Sequence, residues 1–328
     1  MTNDNEREQI SKRYRSVSES LLLCETNPAL YRQKSLEFSL TKLLVNPSPA
    51  MLVSVHRLYD PALGQTYDCN IYSSSFYYCH EVACYAYRID HDISRFIECE
   101  GKVPEYVLKM YDTMKDDKEQ LHAKWTPSKY VHIYHGLAGR NFDGARRLAD
   151  LVISTNLFEQ PLFGMPATGR ISPFGCSLIY LLAGDPLMWA KYKALKKGKK
   201  GIEKAFAKIF EGLIDKDQQI AQEGLVDLVK ALRRGEPVDD HVYWLNTWAI
   251  GMANLCRLHG VWVEGVKSYV PADLLIPQDE VKLVLEKYPQ LGQLPPDIDN
   301  KFAPPPSLGD HNGDQPKDGK DYFNSPPL

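Results

Sequence analysis

The sequence predicts an all-α fold, an irregular multi-helix bundle or helical-repeat-like array. Three observations predict it. Apolar residues recur at three- and four-residue steps along much of the chain, capping side chains stand directly before prolines at several helix starts, and strand signals are scarce. Ile202, Ala205, Phe206, Ile209, Phe210 and Leu213 share one helical face, and Leu225, Leu228, Val229 and Leu232 repeat the pattern. Alternating β-branched runs bounded by Asn-Gly or Asp-Gly turns are missing, and the one β-like stretch, Val261-Trp262-Val263, is too short to build a sheet.

Taken in order, the first helix is expected at 6–24. Helices at 28–45, 49–59, 173–183 and 186–197 each open on a capping residue followed by proline: Asn27-Pro28, Ser48-Pro49, Ser172-Pro173 and Asp185-Pro186. Proline keeps its predecessor out of the helical region, where an N-cap belongs, and its missing N–H is harmless at the first helical position. Further helices are placed at 70–98, 103–121, 128–136 and 141–158. The C-terminal part adds 202–214, then 217–234 ended by Gly235 and Pro237, 240–259 closed by Gly260, and 278–288. No fixed-period repeat identifies a named repeat class. The stretch 157–172, with Pro161, Gly164, Pro166 and Gly169, marks a hinge between helical halves at 1–158 and 159–289, or a long loop within one continuous domain. From 290 to 328 the chain is rich in proline and aspartate and lacks the apolar residues to offset ordering, so it reads as a flexible, disordered tail.

Composition narrows the function. The chain has 328 residues, 44% hydrophobic and 25% charged, which excludes collagen, a coiled-coil rod and wholesale disorder. No run approaches the roughly 20 apolar residues of a membrane span, and the polar N-terminus has no signal-peptide apolar stretch behind it, so a soluble cytoplasmic protein with no membrane partner is expected. Seven cysteines without scaffold spacing fit reduced, mostly buried thiols. The formal net charge is −3, and the tail supplies it with six aspartates against three lysines. The neutral remainder argues against nucleic acid as a partner.

The most enzyme-like patch is Cys79-His80-Glu81, Cys84 and Asp90-His91-Asp92. On one uninterrupted helix His80, Cys84 and His91 stand at offsets of four and seven and share a face, the geometry that a metal-dependent hydrolase would need. The set lacks paired ligand spacings, and Tyr72, Phe76, Ala83 and Tyr87 around it fit a packed core, so neither metal nor cofactor is expected. His132 and His135 precede Gly136-Leu137-Ala138-Gly139-Arg140, which has neither a nucleophile elbow nor a phosphate-loop ending; helix termini and a turn account for them. No catalytic residues are assigned. Two charged patches are the candidate partner surfaces: acidic Asp112, Asp116, Asp117 and Glu119, and the basic run containing Lys196, Lys197, Lys199 and Lys200.

The segment 205–277 carries a resemblance. A helix ends at Asp215 with Asp217 just beyond, a final helix rich in small and apolar residues leads to Arg257 and Gly260, and the stretch closes on Tyr269, Pro271, Asp273, Leu274 and Leu275. It resembles the C-terminal part of the immunity 49 family of bacterial polymorphic-toxin immunity proteins. A second group, immunity proteins that guard against certain DNase toxins, is matched in part by Tyr243-Trp244 and by Tyr269 to Leu274. Both resemblances imply an all-α cytoplasmic protein that binds a cognate toxin tightly and blocks it without chemistry of its own. A helical adaptor or scaffold shares the same composition, and only the identity of the bound protein separates the two.

Overall fold

The computed structural model describes residues 4–45, 64–117, 121, 125, 127–155, 173–197, 201–233 and 245–295. Twelve α-helices lie among them: α1 Asp4–Thr26, α2 Pro28–Val45, α3 Gly64–Tyr85, α4 Ile93–Met114, α5 His132–Ala138, α6 Phe142–Ser154, α7 Pro173–Leu182, α8 Met188–Leu195, α9 Gly201–Asp215, α10 Gln218–Arg233, α11 Thr247–Leu258 and α12 Gln278–Lys287. The only β pairing among the described residues is an isolated antiparallel bridge between Val266 and Val270, so the fold is all-α. No described helix is long and apolar enough to cross a membrane.

Short-range chemistry sets many of the helix ends. Asn27 caps α2 by accepting from the Leu30 N–H at 3.1 Å, and Asp217 caps α10 by accepting from Ile220 at 2.9 Å. Asp185 accepts from the Leu187 N–H at 2.8 Å ahead of α8. Gly260 follows α11 at φ +78°, the left-handed C-terminal role expected of it.

Several expected boundaries are displaced, among them the start expected at 240, where the helix begins only at Thr247 behind its cap Asn246. The helix placed at 70–98 stops in a π-turn at Ala86–Asp90, His91 turns left-handed at φ 55°, and Asp92 caps a new helix by accepting from the Arg95 N–H at 2.8 Å. That helix, α4, runs through Pro104 where a break near 98–103 was expected. Val103 and Pro104 are both buried, and packing on α3 and α5 outweighs the backbone hydrogen bond lost at proline. At the C-terminal side, a 3₁₀ turn at Pro289–Gly292 buries Leu291, so the folded part extends past 289, where the tail was expected to begin. The expected helix 49–59, the 157–172 stretch and everything beyond 295 lie outside the described residues.

Helices α3 and α4 pair along their length with α1 on α3; α9 pairs with α10, and α7 with α8. The short helix α5 sits at the centre, against α4, α6 and α11. One apolar cluster extends from Val17 to Leu291, and Met1–Pro295 forms a single compact unit that takes in both expected halves. Asn254 on buried α11 pins the middle: its Nδ2 donates to the Leu137 carbonyl at 3.0 Å and its Oδ1 accepts from Ile276 at 2.9 Å.

A buried histidine–carboxylate cluster as the candidate functional site

Helices α3, α4 and α5 converge on Glu100. Its carboxylate is wholly buried, with Oε1 2.7 Å from His80 Nδ1 and Oε2 2.6 Å from His135 Nδ1. His80 and Cys84 lie one turn apart on α3, and the Cys84 sulfur is 3.9 Å from His80 Nδ1. The two histidine rings meet edge to face at 4.8 Å. His132, one turn before His135, packs against Phe76 at a tilt of 52° with ring centroids 4.3 Å apart, and its buried Nδ1 has no hydrogen-bond partner among the described residues.

Gly139 makes this convergence possible. A Cβ there would stand 2.0 Å from the backbone N of Gly101, so only glycine allows the end of α5 to touch α4 beside Glu100. Asn141 fastens the contact, donating to the Gly101 carbonyl at 2.8 Å while its Oδ1 caps α6 through Gly144 at 2.9 Å.

The electrostatics follow from burial and charge. Burial pushes the Glu100 carboxyl up, but the charges and hydrogen bonds of His80 and His135 prevail and hold it at about 2. Burial alone would lower His80, yet the Cys84 sulfur and the Glu100 carboxylate raise it well above the ordinary imidazole value. His132 moves the other way: burial, and then the neighbouring His135, Lys129 and His80, hold it well below that value. The cluster thus keeps a fully buried carboxylate ionised between two imidazoles, an arrangement that otherwise carries a large desolvation cost.

The site differs from the one the sequence outlined. His80 and Cys84 do share a face, but His91 is not with them. It lies past the π-turn, largely exposed, with Nε2 3.0 Å from the Asp273 carboxylate. The offset rule assumed an unbroken helix, and the π-turn rotates the chain out of register. Asp92 is spent as the helix cap of α4. In place of His91 the fold supplies Glu100 and His135, and sequence spacing held no signal for this pairing across 35 residues.

Comparison with family models, curated proteins and solved structures found no match for this chain.

The charged patches are ordinary solvated surface in their described part. Asp112 pairs with Lys115 at 3.3 Å near the end of α4, with Asp116 and Asp117 in the turn after it. Lys196 lies 3.5 Å from Glu211 and over the Tyr192 ring at 5.2 Å, and Lys197 is exposed beside it. Glu119, Lys199 and Lys200 lie outside the described residues, as does Trp244.

Proposed function

We propose that this protein is an immunity protein, a non-catalytic inhibitor that binds the toxin domain of a cognate secreted antibacterial effector inside the producing cell and blocks it. The observation that carries this reading is the resemblance of the segment 205–277, whose matching residues are tied into the fold where the structure describes them. Asp217 caps α10, and Lys216 beside it donates to the His259 carbonyl at the end of α11. Arg257 donates to the Val263 carbonyl at 2.9 Å and the Ile276 carbonyl at 2.9 Å, with its guanidinium over the Trp262 ring. Asp273 accepts from the Tyr87 hydroxyl at 2.9 Å, while Leu274 and Leu275 are buried.

Residues so committed hold a scaffold together. This supports a division of labour in which the shared motif maintains the fold and exposed side chains meet the toxin. Asp112, Asp116, Asp117 and Glu119 on one patch, and Lys196, Lys197, Lys199 and Lys200 on the other, are the surfaces to test first, because exposed charge steers encounter and selects partners.

The deciding experiment captures the tagged protein from its native cells in moderate salt and identifies what stays bound by mass spectrometry. One stoichiometric partner with a toxin-like C-terminal domain is expected, whose toxicity on expression is relieved by this protein. Recovery of a stoichiometric partner without toxicity would favour the adaptor reading instead. Recovery of chaperones alone would overturn both.

A further inference from the structure

The histidine–carboxylate cluster has donor chemistry that an inhibitory scaffold has no evident use for. His80, Cys84 and Glu100 each offer one ligand atom, and these three atoms lie within 4.8 Å of one another. They come from two helices that pair along their length, so the set is held by packing and not by a loop. All three are buried, Cys84 and Glu100 completely.

We propose that His80, Cys84 and Glu100 bind one divalent transition-metal ion, zinc in the first instance, with His135 positioning the Glu100 carboxylate. This inference is independent of the immunity reading. Thiolate, imidazole and carboxylate together are a zinc donor set, softer than calcium or magnesium would take. Tetrahedral zinc with ligands near 2.1 Å sets its donors roughly 3.4 Å apart. His80 stands 2.7 Å from Glu100 and 3.9 Å from Cys84, either side of that value, and all three donor atoms fall within 4.8 Å of one another.

His135 has a separate part. Its Nδ1 stands on the carboxylate oxygen that faces away from His80, at 2.6 Å, which is where a second-sphere donor orients a ligating carboxylate. Three protein ligands leave a fourth position for water.

The test uses the full chain. Metal content is measured on protein purified without chelator, and stripped protein is then titrated with Co²⁺ while folding is followed by circular dichroism. About one zinc per chain is expected, and Co²⁺ should give the visible bands of a tetrahedral site together with a thiolate charge-transfer band. Cys84→Ser should lose that band with its helicity intact, and His135→Gln should keep the band but bind metal about 10–100-fold more weakly. Folded wild-type protein that retains no metal and shows no band overturns the proposal, as does an unchanged band in Cys84→Ser. Should that variant fail to fold, X-ray absorption on the wild-type zinc protein decides: one sulfur with nitrogen and oxygen neighbours is expected, and an all-oxygen shell or several sulfurs would overturn the ligand set.

Discussion

At the residue scale, the buried polar side chains carry the sharpest expectations. Glu100→Ala leaves His80 and His135 facing an apolar gap where a carboxylate satisfied both, and breaking a buried charge pair on one side costs about 3–5 kcal/mol. A urea titration should show that loss. His259 offers a pH signature. Burial, aided by the Lys216 charge, lowers its folded-state value to about 3, against roughly 6.5 when unfolded. The unfolded chain therefore binds the extra proton first as acid is added. The stabilisation from keeping His259 neutral is complete above about pH 6.5 and is lost toward pH 3, at up to about 1.4 kcal/mol per pH unit. His132 is shifted in the same direction and steepens the same limb. Denaturant midpoints of the wild type and of His259→Gln, taken at pH 7.5 and pH 5, should converge at the lower value; parallel losses would assign the acid sensitivity elsewhere.

At the element scale, the contact of α4 with α5 rests on a single missing side chain. Gly139→Ala places a methyl inside the Gly101 backbone, and the helices must separate, at a cost of about 3 kcal/mol or more. Because Glu100 and His135 sit on those two helices, the same substitution should also weaken metal retention, which metal analysis of the folded fraction would reveal. A gentler case is Asp217→Ala. It removes one cap from α10 and should cost about 1 kcal/mol in a thermal or urea melt without disturbing the cluster. The element scale also shows where sequence reading is weakest. Periodicity located α9 and α10 almost residue for residue, because each has one buried and one solvated face. It failed between 85 and 104, where a π-turn and a buried proline break the ordinary association of pattern with helix length.

At the scale of the whole molecule, the continuous apolar cluster from Val17 to Leu291 links the N-terminal helices to the C-terminal ones. Tyr87 reaches Asp273 across 186 residues, and Arg140 donates to the Leu275 carbonyl at 3.2 Å. Such cross-ties predict one cooperative unfolding transition: tryptophan fluorescence and far-ultraviolet circular dichroism should give the same midpoint. Two separated transitions would instead favour independent halves on either side of residue 158. Leu291→Ala is expected to lower that shared midpoint by about 2–4 kcal/mol of stability, since its side chain is 3% exposed and closes the end of the core.

What the sequence by itself determined is the class of fold and most helix starts, since caps, prolines and apolar periodicity act within a few residues of where they stand. It also marked His80 and Cys84 as neighbours, because one turn of helix settles an i, i+4 pair. The tertiary structure alone decided that Glu100 and His135 complete the cluster and that His91 turns away to Asp273. Those outcomes depend on a glycine contact between two helices and on a π-turn that changes the helical phase, and neither the approach of distant segments nor a local gain of phase is written in the spacing of residues along the chain.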